Sequence, residues 1–522
     1  MSNEVLSRYF TNTDGPVFAL VNLPETVKGA LFARYSRSPK SLRQLFLDEF
    51  APDLAAGGEA TSTAGLAHAE KLYGRIFNDY GDDSVAQLGG AHLACEKVSN
   101  LLTKVLERGR LAAYLEQSTR YIPYTDRAGG VWRYLVPDEL DGHPLRAQYV
   151  AALDATFETY AKWIDPLRAH FEKKYPKQPA DSDAVYRSAT RAKALDTLRG
   201  LLPAATQSNL GIYATGQAYE ALILRMRAHP LAEVRAYSDL MLTELRKVIP
   251  AFLTRVDQAD RGGVWTKYFA DTRARTLEIA DRLAGGAEPE PRDEVTLSDF
   301  DPDGEVKVVA AALYTSTHLP DDQLLALARA MSPADRAAVL VAYNGTRTNR
   351  RHRPGRAFER TSYRFDILTD YGAFRDLQRH RLMTIDWQAL SPRHGHIRPE
   401  AIIEAGAGAD WDAAMARSRE LYDALVAAGL HDAAQYAVSL AYRVRFVMDM
   451  NAREAMHVIE LRTAPAGHPA YRRVCQQMHR LIADRAGHHA LAAAMSFTDH
   501  SAIELERLQE ERRLEQKRQS RG

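Results

Sequence analysis

Two strings of charged and polar residues, in opposite halves of the chain, have the make-up of an anion site. The first is Arg108-Gly109-Arg110 followed by Glu116-Gln117-Ser118-Thr119-Arg120-Tyr121, and the second is Arg379-His380-Arg381 followed by Thr384 and Asp386. The first has the Glu-x-Ser-x-Arg-Tyr close without the histidine. The second has Arg-His-Arg but places Trp387, Ala389, Ser391 and Pro392 where that close would fall. Each string thus resembles one end of a single motif. In an extended segment alternate side chains share a face, so Glu116, Ser118 and Arg120 would present a carboxylate, a hydroxyl and a guanidinium to one surface. A guanidinium offers a phosphate two N–H groups and serine a third donor. A solvated strand edge shows the same alternation, and three cationic residues in a row are common on surfaces. The second string, however, lies among Phe374, Leu377, Leu382, Met383, Ile385 and Trp387. Apolar neighbours of this kind draw the cluster inward, where guanidinium groups need anionic or carbonyl partners.

The segment Asn451 to Arg462 reads as a helix with Asn451 and Arg462 nearly in line three turns apart and His457 on another side. It can offer several donors to a flat heterocycle, and it is equally an amphipathic helix with ordinary salt links. The two cysteines, Cys95 and Cys475, are far apart and form no CxxC pair, so neither a disulfide framework nor a cysteine metal site is indicated, and no metal site is expected. Cys95, near His92, reads as a small buried residue on a helix; Cys475 follows Arg472 and Arg473, which would lower its pKa.

Positioning these residues requires about two domains on a 522-residue length. The Pro-, Gly- and acid-rich stretch 284–304 reads as a linker between a first repeat, 1–283, and a second, 305–500, with a charged tail at 501–522. A strand-like run at Pro16 to Val21, then a proline and a helical run, is echoed by a strand-like run at Val306 to Tyr314 with its own proline and helical run. Arg146 to Ile164, Glu233 to Ile249 and Trp411 to Leu430 have helical periodicity. The fold class expected is α+β, two tandem repeats with helices packed on small, mainly antiparallel sheets. With 68 basic against 67 acidic residues there is no nucleic-acid footprint. No signal peptide or membrane-length apolar run is present, so a cytoplasmic chain with no membrane partner is expected.

Taken together, the motifs resemble those of the flavin-dependent thymidylate synthases, whose signature runs Arg-His-Arg-x-x-Ser-x-Asn-Glu-x-Ser-x-Arg-Tyr. Arg379, His380 and Arg381 match its opening, with Thr384 for the Ser and Asp386 for the Asn; Glu116, Ser118, Arg120 and Tyr121 match its close. The family's Arg-x-x-Leu-Pro is similar to Arg199 through Pro203, and its later helix to Asn451, Arg453, His457, Leu461 and Arg462. In the first repeat only Arg225 or Arg227 resembles that helix's closing arginine, and His352…Phe358-Glu359 resembles an upstream element. The resemblance implies methylation of dUMP to dTMP, with FAD carrying hydride and methylenetetrahydrofolate and NADPH as cosubstrates. It implies that Ser118, Arg120 and Arg199 hold the substrate phosphate, with Glu116 and Gln117 at its sugar or the adjoining backbone. It places FAD at Arg379, His380 and Arg381, and Asn451, His457 and Arg462 toward flavin and uracil, Arg462 stabilising charge on a pyrimidine carbonyl. It further implies a homodimer imitating the family's tetramer, with sites shared between repeats. A methylase of another uridine nucleotide, or a non-catalytic nucleotide-binding or scaffold descendant, is the alternative. Neither cysteine suits the nucleophile of the cysteine-dependent thymidylate synthases.

Overall fold

Alternation writes the main sheet into the sequence. In Arg443-Val-Arg-Phe-Val-Met-Asp-Met-Asn451, Val444, Phe446, Met448 and Met450 are buried and the residues between them are not. This is the period-two pattern of a strand with one face on a core. The computed structural model describes residues 2–35, 38–51, 87–120, 122–127, 129–179, 181–503, 505 and 507–520. Tyr121 of the first string lies outside the described residues.

In chain order the principal elements are β1 (Gly90–Ser99), β2 (Ala112–Glu116), α1 (Arg146–Lys174), α2 (Asp183–Leu198), β3 (Gln207–Thr215), α3 (Gly216–Arg227) and α4 (Val264–Ala284). There follow β4 (Val295–Phe300), α5 (Gly304–Tyr314), β5 (Ser362–Asp370), α6 (Tyr371–Leu377), β6 (Thr384–Trp387), α7 (Gly408–Ala427), β7 (Arg443–Asn451), α8 (Ala452–Arg462), α9 (Pro469–Asp484) and α10 (Leu508–Gln519). The class is α+β. The chain forms two compact units: one of Met1–Val98, Val105–Gln117 and Ser208–Glu288, the other of Ser99–Lys104, Ser118–Gln207 and Pro289–Gly522.

In the first unit the sheet order is β1-β3-β2, with β2 antiparallel to β3 from Ala112↔Ala214 to Glu116↔Leu210. Thr215 caps α3 by accepting from the Ala218 amide. In the second unit the order is β4-β5-β7-β6, all antiparallel, with β5 and β7 paired along their length from Ser362↔Asn451 to Asp370↔Arg443. Helix α9 packs on β4 and β5, and Phe374 of α6 meets Phe446 of β7 at 4.9 Å between ring centroids.

The second unit unites residues far apart in sequence. The stretch 200–205 pairs backbone to backbone with 436–441: the Ala441 amide donates to Gly200 at 2.9 Å, Leu440 to Leu202 at 2.9 Å and Ala204 to Val438 at 2.8 Å. Gly200 permits this approach, because a Cβ there would lie 2.8 Å from the Trp411 ring. Helix α1 packs on α7, where Trp163 donates its indole N–H to Asp410 at 2.7 Å.

Three expectations are corrected. Val306 to Tyr314 is not a strand but lies in α5: a short apolar run cannot by itself separate a strand from a buried helix, and its three alanines favour the helix. The 284–304 stretch is not wholly a linker, because it holds β4, whose Val295 and Leu297 are buried against β5. Cys95 is buried on strand β1 rather than on a helix. The tail carries α10, which packs on α2, with Arg512 bonded to Asp181 at 2.5 Å.

Candidate functional site

Each element of the second unit delivers its site residues by a local rule. Ser182 caps α2 by accepting from the Val185 amide, and the helix ends in a tight turn at Arg199–Leu201, leaving Asp196 and Arg199 at its C-terminal end. Asp370 caps the short α6, whose end presents Asp376 and then Arg379 and His380. Asn451 closes β7 and caps α8 by accepting from the Glu454 amide at 2.9 Å. One helix therefore carries Glu454, His457 and Arg462 away from the sheet edge.

These groups converge. Asp376 is bonded to Arg199 at 3.3 Å and to Arg379, so a carboxylate joins the arginines of the two halves. Arg120 grips Asp196 with Nε to Oδ1 at 2.8 Å and Nη2 to Oδ2 at 2.7 Å, while Nη1 reaches the Tyr471 hydroxyl and the Ala466 carbonyl at 3.3 Å. The Arg462 guanidinium lies 5.4 Å from the Tyr471 ring centroid, and its Nε donates to His380 Nε2 at 2.9 Å. His380 Nδ1 faces Glu454 at 3.7 Å, and Arg353 reaches His457 Nδ1 at 2.8 Å.

Burial alone would raise the Asp376 carboxyl, but Arg379, Arg199, Arg462 and Arg120 overcome it and hold the group well below the usual carboxylate range. Burial, then Arg462, His457, Arg379 and Arg353, keeps the His380 imidazole neutral, its pKa well below the ordinary value. Since Arg462 donates to Nε2, the ring proton sits on Nδ1, toward Glu454. Burial, followed by Arg353, Arg350 and Arg462, lowers His457 to about 4. Burial pushes the Glu454 carboxyl up to about 7 against the pull of Arg353 and Arg453.

His380, Glu454 and His457 have donor atoms within 4.8 Å of one another. Guanidinium N–H groups already occupy one nitrogen of each imidazole, and their charge opposes a cation in that position. The raised Glu454 pKa has a testable sign. Folding favours the protonated carboxyl, so this group's penalty is absent below its unfolded value of 4.5 and grows until the pH passes about 7. Glu454→Gln is expected to gain stability relative to the parent by about 3 kcal/mol between those limits, read by denaturant titration at several pH values.

The structure gathers Arg199 and Arg379 on Asp376, and Arg120, Arg462, His380 and, through His380, His457 around Tyr471, the two groups coupled by the charges of Arg462 and Arg120 acting on Asp376. Ser118 stands beside Arg120, accepting from its amide at 3.2 Å. The expectation that Glu116, Ser118 and Arg120 share a strand face is corrected: β2 ends at Glu116, and Thr119 and Arg120 form a turn. Glu116 and Gln117 belong to the first unit, where the Gln117 amide donates to Asn209 at 2.8 Å. Arg381 is exposed next to buried His380, and Thr384 and Asp386 lie on β6 with their side chains exposed. Arg453 bonds Pro354 O at 2.9 Å and Glu359 at 3.3 Å. The arginines before Cys475 do not activate it: burial raises that thiol to about 12, against a pull from Arg462, and burial raises Cys95 to about 11.

Sequence reasoning missed Asp196, Asp376, Glu454 and Tyr471. A signal existed for the first two, because Asp196-x-x-Arg199 and Asp376-x-x-Arg379 repeat one spacing that puts carboxylate and guanidinium on the same helical side.

Among the described residues no helix is long and apolar enough to cross a membrane. The family model of the thymidylate synthase complementing protein matches residues 30–251 and 296–486. A "UPF0159 protein" of Chlamydia muridarum is 38% identical over 98% of this chain and 97% of its own length. One from Thermoplasma acidophilum is 29% identical over 93% and 97%. A "Flavin-dependent thymidylate synthase" of Mycobacterium avium is 31% identical over 33% of this chain and 64% of its own. On these matches the chain belongs to the thymidylate synthase complementing protein family.

Proposed function

We propose that the chain methylates a uridine nucleotide, dUMP to dTMP, with FAD as hydride carrier and methylenetetrahydrofolate and NADPH as cosubstrates. The observation that carries this reading is the Arg199–Asp376–Arg379 junction, which couples the first half's arginine to the second half's Arg-His-Arg inside one unit. The donor set suits a flavin nucleotide. Half-exposed Arg379, exposed Arg381 and Arg353 can hold anionic oxygens, and His457, bonded among the described residues through Nδ1, can hold a heterocycle carbonyl through Nε2. Bound there, the flavin supplies the redox chemistry of the reaction.

The residues of the chain bind and polarise. Arg462, fixed by His380 and Tyr471, directs positive charge at a pyrimidine carbonyl that becomes negative as the ring reacts. The His380 proton stays on Nδ1, so this imidazole acts as acceptor to Arg462 and cannot donate at Nε2. Arg199, whose buried Nη2 has no hydrogen-bond partner among the described residues, has an N–H group left for the substrate phosphate.

The partner state that goes with this reading is a homodimer in the cytoplasm. Tritium release from C5 of labelled dUMP and UMP, run side by side with the cosubstrates and bound flavin measured by absorbance, tests the assignment. Release from dUMP by a yellow protein is the expected result. Release from UMP alone would reassign the substrate, and nucleotide binding without release from either would favour the non-catalytic reading.

A further inference from the structure

The Arg108-Gly109-Arg110 string lies in the first unit, where Arg110 lines a cavity of about 730 Å³. Helix α3 forms one wall with Gln217, Ala221, Leu224 and Arg225, and Trp265 at the start of α4 lines it as well. Glu220 and Arg255, which also line it, are joined by two bonds of 3.0 and 2.6 Å and so neutralise each other.

Two groups in this wall lack partners among the described residues. Arg225 is only partly exposed and makes no hydrogen bond or ion pair among the described residues, while burial and the nearby Arg108 guanidinium hold it below the ordinary arginine range. A desolvated cation beside another cation is unfavourable unless an anion joins it. The buried Gln217 Oε1 has no hydrogen-bond partner among the described residues, and an unmet acceptor at a cavity wall suits a ligand N–H or O–H. Trp265 keeps 55% of its surface exposed, and Leu111 beside Arg110 keeps 68%. The cavity therefore pairs aromatic and aliphatic walls with guanidinium groups, at a size in the usual range of roughly 300–1,000 Å³ for small-molecule sites.

We propose that the first unit binds a nucleoside phosphate here, a flat heteroaromatic ring against Trp265 and Leu224 with its phosphates on Arg225 and Arg110. Ring and anion are both required by the lining, since apolar walls do not hold inorganic phosphate and a neutral aromatic would leave Arg225 unmatched. The inference stands on the first unit alone and does not depend on the reaction assigned to the second.

Calorimetric titration of the full chain with ADP, adenosine and inorganic tripolyphosphate tests it. ADP is expected to bind more tightly than either fragment. Trp265→Ala is expected to weaken ADP binding roughly tenfold or more, the scale of base–aromatic stacking, and Arg225→Gln to weaken it comparably. Because Arg225 is partly buried, Arg110→Gln, at an exposed position, serves as the parallel variant, and thermal melting confirms that each variant is folded. Absence of ADP binding, equal binding of tripolyphosphate, or ADP affinity unchanged in Trp265→Ala and Arg110→Gln would overturn the proposal.

Discussion

Asp376→Asn is expected to destabilise the protein by about 3–5 kcal/mol at neutral pH, because it removes the carboxylate shared by Arg199 and Arg379 and takes from the buried Arg199 guanidinium its charge partner. The amide keeps the shape of the side chain, so the loss reports charge rather than packing. Chemical denaturation of variant and parent measures it. The pH dependence has a defined sign. The folded-state carboxyl lies far below its unfolded value of 3.8, so its stabilisation is complete above that value and is withdrawn as the pH falls through the folded pKa. Variant and parent should therefore converge only in strong acid. A loss below about 1 kcal/mol at neutral pH would mean that water already balances these charges.

Arg462→Lys should leave the fold intact and cost activity about a hundredfold or more, the scale of removing one donor that meets charge developing in a transition state. Lysine retains the charge but loses the planar Nε–H that bonds His380 and the flat face over Tyr471. The expected signature in steady-state kinetics is a fall in kcat for C5 tritium release with bound flavin and KM little changed. A rise in KM alone would assign Arg462 to ground-state binding instead.

Much of the candidate site was legible because chemistry-bearing residues came in local patterns. The complementary strings around Arg120 and Arg379 pointed to a junction between halves, and that junction exists around Asp376. The helix from Asn451 was legible from its periodicity, and its cap from residue type. What joins Arg120 to Asp196, or Arg462 to His380, was not legible, since each bond spans 76 or 82 residues and depends on tertiary packing. Glu454 looked like an ordinary helical glutamate, and only burial on α8 behind His380 makes its proton affinity unusual. In the fold, β4 was hidden by its composition: in Val-Thr-Leu-Ser-Asp-Phe two buried side chains suffice once β5 supplies the partner strand. The apolar run of α5 failed for the opposite reason, because a stretch buried on most sides loses the period that separates helix from strand.

The central claim is that one chain assembles a complete site from arginines of both halves. Co-purifying a chain carrying Arg199→Ala with a differently tagged chain carrying Arg462→Ala, and measuring C5 tritium release from dUMP against the parent protein, tests it most directly. The account predicts that the mixed assembly stays as inactive as either variant, since every chain lacks one part of its own site. Recovery of about half of parental activity, one intact site of two in the mixed dimer, would show that Arg199 and Arg462 act across chains, and would contradict it.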